Sequence, residues 1–457
     1  MTASLERAIE DSPAADVTYG RMGSVRHGVV VGGSISGLVA AGVLARHFDR
    51  VTLIERDSYP ETPATRKGTP QARHVHVLLK QGERAIARIF PGLFEELVAR
   101  GGQRVDTARD AKWFYFGGWK LRFESGVEMV SQSRPLLEWS LRRRVAALPN
   151  VEFVTADVHG LDAPTPARVG GVQLRRGAGT ASERLAADFV VDATGRGSRL
   201  PHWLEALGCG APPESEVKVD VGYATRAYRR TRAPRDWTAL LCHPRFPDTR
   251  CGVLLPIEDE QWLLTLVGWF GDHPPGRDPE FLGWARGLAI PDLVDAVAEA
   301  EPLSEIALHR FPSNRRRHYE RLARLPDGLA VLGDAACSFN PVYAQGMATA
   351  ALGAAELDDC LAEARSLDGL SRRFQARLAH VTDAPWLLAT GEDFRSERAL
   401  GERPAFMPLL AWYTARVHQL TWRDPFTAKR FLEVMHLMRR PTALFHPRVA
   451  LRALTSL

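Results

Sequence analysis

The sequence predicts an α/β protein. We expect a Rossmann-like nucleotide-binding domain with an inserted, mainly antiparallel β-sheet domain and a helical C-terminal region. A β-branched run at 29–31 ends in glycines and is followed by a small-residue helix and a second strand at 51–55, which together form a βαβ unit. Between about 215 and 310 the chain has short apolar strands, whereas 366–457 is mostly helical in pattern.

Composition limits the function classes. The 457 residues are 45% hydrophobic and 25% charged, which excludes a disordered or fibrous chain. The net charge of +5 is not concentrated on one stretch, so no nucleic-acid partner is expected. The uncharged stretch 28–45 contains five glycines, which favours a strand, turn and helix over a transmembrane segment. Five scattered cysteines and an N-terminus without a signal pattern predict a cytoplasmic protein.

The first segment with chemical meaning is the turn at 31–37. Gly32, Gly33 and Gly37 permit a tight turn and a close approach of pyrophosphate to a helix N-terminus. The usual GxGxxG pattern is altered, because Ser34 stands in place of its second glycine. Glu55 follows Gly37 by 18 residues and ends the second strand, where a carboxylate can accept hydrogen bonds from ribose hydroxyls. This order predicts a dinucleotide site; the alternative is a plain βα turn.

Two later segments complete a recognisable set. Residues 190–199 end an apolar strand in Asp-Ala-Thr-Gly-Arg-Gly-Ser-Arg, and residues 331–347 contain Gly-Asp-Ala-Ala, Asn-Pro and Gln-Gly-Met. With the glycine turn, these segments resemble the FAD-dependent monooxygenase family typified by p-hydroxybenzoate hydroxylase and squalene epoxidase. Geranylgeranyl reductases and flavin-dependent halogenases share the scaffold. The resemblance covers roughly residues 27–365.

The resemblance implies FAD as the cofactor and dioxygen as co-substrate. NADH or NADPH would be a transient reductant, acting directly or through a flavin reductase. The middle segment departs from the family pattern, since Asp192 is followed by Ala193 where the family often has glycine. Arg134 matches a family arginine near the flavin phosphates, or is a solvated arginine before a helix. The cofactor-binding residues implied by the resemblance are Gly32, Gly33, Ser34, Gly37, Glu55, Arg134, Gly333, Asp334, Pro341, Gly346 and Met347.

The segment order also implies domain boundaries. The FAD-binding domain would comprise residues 27–110, 131–210 and 313–365. The substrate domain would comprise a hairpin at 111–130 and a β-sheet at 211–312, with a C-terminal helical region at 366–457.

The substrate pocket is expected on the aromatic side of the inserted domain. Two aromatic runs flank Gly117-Gly118, and Trp113, Tyr115 and Trp262 are the pocket candidates, although ordinary sheet core is the alternative. No acid–base dyad is visible, so the chemistry is expected to centre on the flavin. His74 and His76 alternate along the chain without a third ligand nearby, which favours a hydrogen-bonding pair near the flavin, or plain surface histidines, over a metal site.

The leading functional interpretation is oxygen insertion into a small apolar molecule through a flavin C4a-hydroperoxide, by epoxidation or hydroxylation. Residues 71–79, 256–268 and 339–347 resemble actinobacterial tailoring monooxygenases, including polyether-type epoxidases, which implies secondary metabolism. A prenyl reductase and an inert flavin-binding protein stay open. A halogenase would be expected to show Trp-x-Trp-x-x-Pro, which is absent, and an essential lysine, for which nothing singles out Lys80.

Overall fold

The structure, a computed structural model, describes residues 26–177, 181–231 and 235–455. The N-terminal pattern used to predict location falls in residues 1–25, outside the described residues. The α-helices in the described ranges are α1 (Ile35–His47), α2 (Lys80–Ile89), α3 (Leu93–Ala99), α4 (Arg134–Ala146), α5 (Leu200–Ala206), α6 (Glu280–Ala285), α7 (Asp292–Val297), α8 (Gln345–Glu363), α9 (Leu370–Asp393), α10 (Met407–Leu420), α11 (Pro425–Met435) and α12 (Pro447–Thr455).

The strands of the same ranges fall into four sheets. They are β1 (His27–Val31), β2 (Arg50–Glu55), β3 (Gln103–Asp106), β4 (Ala111–Tyr115), β5 (Gly118–Trp119), β6 (Glu128–Ser131), β7 (Val151–Thr155), β8 (Asp157–Asp162), β9 (Gly171–Arg175), β10 (Glu183–Ala186), β11 (Phe189–Asp192), β12 (Glu214–Arg229), β13 (Ala239–Cys242), β14 (Arg250–Ile257), β15 (Gln261–Trp269), β16 (Ala307–Arg317), β17 (Leu329–Val331), β18 (Cys337–Ser338) and β19 (Leu400–Gly401).

A parallel sheet forms the nucleotide-binding half, with strand order β17-β11-β1-β2-β7. Its central strands are apolar on both faces because both faces are covered; α1 and the small β10-β9-β8 sheet each pack against them, and Val29, Val30 and Leu53 have no exposed surface. Helices α1 and α8 pack on each other and bring their N-termini to the carboxyl edge of this sheet. The sheet draws its strands from three separated stretches of chain, as the Rossmann-like prediction requires.

The second sheet is mainly antiparallel, with order β18-β16-β12-β15-β14-β13-β4-β5 and β19 beside β12. Alternate residues of β15 point to opposite faces. Val267 and Trp269 join one buried cluster, whereas Trp262, Leu264 and Leu266 join another on the side of α6 and α7. The predicted fold class is confirmed: an α/β protein with a parallel nucleotide-binding sheet, an antiparallel sheet and a helical C-terminal region.

The aromatic hairpin forms, but its second arm is short. Phe116 and Gly117 take positive φ angles of 61° and 85°, which suits a tight hairpin turn. Only Gly118 and Trp119 then pair with β4, because the chain turns toward the C-terminal helices, where the Leu121 N–H donates to the Thr421 carbonyl at 2.9 Å. Strand β6 pairs with β3 in a separate two-stranded sheet.

The C-terminal region is helical, as predicted, apart from β19. Its helices α9, α10 and α11 pack together beside the antiparallel sheet and contribute their own buried cluster. Across the described ranges, no helix combines the length and apolar character needed to cross a bilayer.

Candidate active site

A cavity of about 450 Å³ opens at the carboxyl edge of the parallel sheet, and we name it the cofactor cavity. The N-terminal turn of α1, the loop after β11 and the start of α8 all reach it, because these elements follow neighbouring parallel strands. Nine of the predicted cofactor residues line it, namely Gly32, Gly33, Ser34, Glu55, Arg134, Asp334, Pro341, Gly346 and Met347.

Two predicted glycines, Gly37 and Gly333, lie behind the cavity wall and serve its packing. A Cβ at Gly37 would stand 1.7 Å from the Gly32 carbonyl oxygen, so only glycine lets α1 start this close to β1. Gly333 has a φ of +64°, and a Cβ there would stand 2.2 Å from the Ser36 Oγ. Both glycines therefore shape the turn without touching the cavity.

The N-terminus of α1 faces the cofactor cavity with free N–H groups. Ser34 is the N-cap residue, yet its side chain makes no capping hydrogen bond. Its hydroxyl instead donates to Glu138 Oε2 at 2.6 Å and accepts from Arg134 Nη2 at 2.9 Å. The first N–H groups of the helix are thus left for an anion, which fits the pyrophosphate of a dinucleotide.

Glu55 lies on the cavity wall with both carboxylate oxygens already engaged. Oε2 accepts the Gly33 N–H at 2.9 Å, Oε1 accepts the Asp57 N–H at 3.1 Å, and Arg66 Nη1 lies 3.2 Å from Oε2. Arg66 also donates to Glu138 Oε1 at 2.9 Å. A carboxylate has about four acceptor positions, so Glu55 can still receive ribose hydroxyls. No motif in the sequence marks Arg66, which is one basic residue in the polar loop after β2.

Asp334 faces the cofactor cavity with no hydrogen-bond partner in the part of the chain that the structure describes. Burial raises the pKa of its carboxyl group, while the positive charges of Arg134 and Arg196 act in the opposite direction. Arg134 is itself buried and its Nε has no partner among the described residues. Unpaired acceptors and donors on one wall fit a ligand with both hydroxyls and phosphates, as FAD has.

The segment after β11 is built by Asp192, which is buried and acts within the protein. Its Oδ1 accepts the Thr194 N–H at 2.9 Å and the Thr194 hydroxyl at 2.6 Å, and its Oδ2 accepts the Ser198 hydroxyl at 2.5 Å. These bonds fold the loop so that residues 193–197 line the cofactor cavity. Asp192 thus positions the loop while other residues meet the ligand.

The turn before α8 is fixed by a buried polar network around Asp393, at the end of α9. Asp393 accepts hydrogen bonds from Tyr343 Oη at 2.7 Å, Asn314 Nδ2 at 2.6 Å and Asn340 Nδ2 at 3.3 Å. Tyr223 Oη donates to Asn340 Oδ1 at 2.5 Å. Burial raises the pKa of Asp393 to about 6, although these donated bonds lower it. No motif marks this network, because its members lie in four distant stretches.

A second, mostly apolar cavity of about 190 Å³ lies between the antiparallel sheet and the C-terminal helices, and we name it the substrate cavity. Trp113 and Tyr115 line it, as predicted. Trp262 does not, so that prediction is corrected: its side chain points to the opposite face of β15, where it packs against Trp237. The residues of β15 that do line the cavity are Thr265 and Val267.

The two cavities share one wall. It consists of Gln71, His76, Val77, His309, Pro341 and Ala344. Burial lowers the pKa of His76 to about 3 and also lowers that of His309, so both imidazoles are neutral at physiological pH. His76 Nδ1 bonds to the His74 carbonyl at 2.9 Å, and His74 Nδ1 bonds to Thr225 Oγ1 at 2.7 Å. His74 and His76 thus each have a hydrogen-bond partner at Nδ1.

Lys80, the lysine weighed for a halogenase, lines neither cavity. It begins α2, and its ammonium lies 2.5 Å from Glu83 Oε1. Lys80 therefore forms an ion pair within the first turn of α2.

Comparison with known proteins agrees with this site. A family model described as FAD dependent oxidoreductase matches residues 29–201. Protein Rv3254 of Mycobacterium tuberculosis (strain ATCC 25618 / H37Rv) is 36% identical over 414 residues, which cover 86% of this chain and 85% of that protein.

Solved structures share the fold at low identity. The flavin-dependent brominase Bmp2 aligns with a TM-score of 0.65 and 13% identity, covering 90% of this chain and 93% of its own. The tetrameric form of 2-methyl-3-hydroxypyridine-5-carboxylic acid oxygenase aligns with a TM-score of 0.60 and 19% identity, covering 91% of this chain and 98% of its own. PqsL, a probable FAD-dependent monooxygenase from Pseudomonas aeruginosa, aligns with a TM-score of 0.59 and 18% identity, covering 81% of this chain and 98% of its own. The chain therefore belongs to the same family as Protein Rv3254, carries a segment that matches the FAD dependent oxidoreductase model, and has the fold of the flavin-dependent monooxygenases.

Proposed function

We propose that this protein is an FAD-dependent monooxygenase that inserts one oxygen atom from dioxygen into a largely apolar small molecule. The observation that carries the proposal is the shared wall, which brings a cofactor cavity and an apolar cavity together at His76, His309 and Pro341. FAD, when bound, supplies the redox chemistry. The oxygenases and the probable monooxygenase with the same fold support the assignment.

The residues of the chain would hold FAD, enclose the reacting groups and position the substrate. The α1 N-terminus and Arg134 would bind the pyrophosphate, Asp334 the ribityl hydroxyls and the turn at 341–346 the flavin ring. The apolar lining of the substrate cavity would exclude water from the reacting groups, and it would hold the substrate within reaction distance of the cofactor. NADH or NADPH would be the reductant, directly or through a partner flavin reductase, and a secondary metabolite the substrate.

Neutral imidazoles at the shared wall suit two kinds of oxygen insertion. Epoxidation of an alkene needs no base. Hydroxylation of a phenol is helped by a group that accepts the phenolic proton, and His309 can do so in its neutral state. The placement of Lys80 in an ion pair with Glu83 argues against the halogenase alternative.

Labelled dioxygen tests the proposal. The FAD-loaded enzyme, reduced with NADH or NADPH with and without an added flavin reductase, is given apolar alkenes and phenols under labelled dioxygen. We expect one labelled oxygen atom in the product, measured by mass spectrometry. Turnover under strict anaerobiosis, or product oxygen that comes only from water, would overturn the proposal in favour of a reductase or dehydrogenase.

A further inference from the structure

A cluster of polar side chains interrupts the apolar lining of the substrate cavity away from the shared wall. Tyr115, His243, Tyr343 and Glu392 line both this cavity and an adjoining one of about 230 Å³. The adjoining cavity and the cofactor cavity have no lining residue in common within the described part of the chain. The substrate cavity thus has one side toward the cofactor and another toward this polar cluster.

Glu392 is the acceptor of the cluster. Its Oε2 receives hydrogen bonds from Tyr115 Oη and from Arg395 Nε, both at 2.8 Å. Its Oε1 lies 3.6 Å from His418 Nε2, which is too long for a good hydrogen bond. One carboxylate oxygen therefore retains acceptor capacity at the cavity wall.

His243 is the donor of the cluster. The Trp113 indole can only donate, and its Nε1 lies 3.0 Å from His243 Nδ1, so Nδ1 accepts that proton. Burial lowers the pKa of His243 to about 4, which keeps the ring neutral. A neutral imidazole that accepts at Nδ1 carries its proton on Nε2. That N–H has no acceptor among the described residues and belongs to a ring that lines both cavities.

The charges of the cluster balance. The Arg395 guanidinium compensates the Glu392 carboxylate at 2.8 Å. Lys120 donates to His418 Nδ1 at 3.0 Å, and burial holds its pKa well below the ordinary value. An apolar cavity with a balanced charge pair disfavours an ionic ligand group, because burying an unpaired charge there would be costly.

Building on the proposed function, we infer that the substrate is an apolar molecule with a neutral hydroxyl group, which donates to Glu392 Oε1 and accepts from His243 Nε2–H. A hydroxyl is a single small group that both donates and accepts. Bound at the cluster, it would fix the orientation of the apolar body, so that one part of that body meets the shared wall. Glu392 and His243 would thus be specificity-determining residues.

Matched ligands test this inference by binding alone. The FAD-loaded enzyme is titrated calorimetrically with 2-naphthol, 2-methoxynaphthalene, naphthalene and 2-naphthoate, which differ in donor, acceptor and charge. We expect 2-naphthol to bind about tenfold more tightly than the methyl ether, the value of one charge-assisted hydrogen bond. Glu392→Gln should reduce this ratio to roughly threefold or less. Glu397→Gln, an exposed position in the same stretch, should leave it unchanged.

His243→Phe is the second variant, since it keeps an aromatic ring and removes the Nε2–H donor. Because both oxygen ligands accept from that N–H, the variant should bring the binding of 2-naphthol and of its methyl ether closer to that of naphthalene. Equal binding of alcohol and ether by the wild type would overturn the inference, as would an alcohol-to-ether ratio that survives Glu392→Gln, an unchanged advantage of both oxygen ligands over naphthalene in His243→Phe, or a preference for 2-naphthoate. The readout needs no turnover. A hydroxyl preference without incorporation of labelled oxygen would contradict only the proposed function, and incorporation without the preference only the subsite.

Discussion

Asp192, Glu55 and Asp334, three carboxylates in or beside the cofactor cavity, differ in how far their oxygens are already bonded within the protein. Asp192 receives three hydrogen bonds from its own loop, and Glu55 holds the Gly33 and Asp57 N–H groups. Asp334 receives none from the described residues. The Asp334 side chain is exposed to the cofactor cavity, so its carboxylate oxygens can accept hydrogen bonds from a ligand. Asp334 is therefore the carboxylate whose loss should affect ligand binding most selectively.

We predict that Asp334→Ala lowers flavin occupancy and leaves the fold intact. Loss of a hydrogen bond to a charged group should weaken FAD binding by about 1.5–3 kcal/mol. The measurement compares flavin absorbance with far-UV circular dichroism. Asp295→Ala, an exposed position on α7, is the control and should change neither. If absorbance and helical signal fall together, Asp334 is structural.

Glu55→Ala should weaken FAD binding by about 1.5–3 kcal/mol, because it removes the carboxylate expected to bind the adenosine ribose. It also removes the partner of the Gly33 N–H and of Arg66, so the free energy of unfolding should fall as well. FMN, which lacks the adenosine, is the control ligand. Fluorescence titration with both flavins would refute the ribose assignment if FAD affinity stayed unchanged.

At the scale of elements, the sequence predicted those helices and strands whose bounds depend on residues close together in the chain. The small-residue helix after the glycine turn and the strand ending at Glu55 match the observed bounds closely, because periodicity and glycines determine them locally. The pocket prediction fails at Trp262 for a different reason. Because side chains alternate along a strand, Trp262 and Val267 are expected on opposite faces of β15. Only the packing of α6 and α7 decides which of those faces lines the cavity.

The site residues that the sequence did not reveal come from elements brought together by the tertiary fold. His309 lies on β16, Glu392 on α9 and His418 on α10, each without a motif of its own. Their chemistry depends on neighbours hundreds of residues away, such as the Tyr115 hydroxyl on Glu392. No local pattern can encode such a contact, so these residues become visible only in the structure.

The side chain of Asp393 holds the turn between β18 and α8 in place through its hydrogen bonds to Tyr343 and Asn340. We predict that Asp393→Asn lowers the free energy of unfolding by about 1–3 kcal/mol and weakens FAD binding, since the amide nitrogen would replace one carboxylate oxygen and face either the Asn314 donor or the Tyr343 donor. Urea denaturation and flavin titration measure the two effects. Asp295→Asn serves again as the exposed control. Unchanged flavin affinity would separate the network from the turn that lines the cofactor cavity.

For the whole molecule, the C-terminal helices do more than extend the fold. Glu392, His418, Phe431 and His436 come from α9, α10, α11 and the residue after it, and all line the substrate cavity. The antiparallel sheet supplies the opposite wall. The cavity therefore exists only when the C-terminal region packs on the sheet, so stability of the whole chain and integrity of the site are linked.

That linkage makes the protein sensitive to acid. Burial in and around the substrate cavity lowers the pKa of five histidines to about 3 or 4: His74, His76, His243, His418 and His436. Each takes up a proton on unfolding when the pH lies between the folded value and the ordinary 6.5. Their contribution to stability is thus complete above pH 6.5 and is lost as the pH falls toward the folded values. Asp393, with its pKa raised to about 6, and Asp334, whose pKa is also raised, act in the opposite direction as two groups against five.

We predict that the free energy of unfolding falls as the pH is lowered from 6.5 toward 4, by up to about 1.4 kcal/mol per pH unit for each of these histidines. Urea denaturation at a series of pH values measures the slope. His436→Gln should reduce the slope by about 1.4 kcal/mol per pH unit, because it removes one buried neutral imidazole. His380→Gln, whose side chain is 85% exposed on α9, should leave it unchanged. Equal slopes in the His436 variant and the wild type would show that His436 does not contribute to the acid sensitivity.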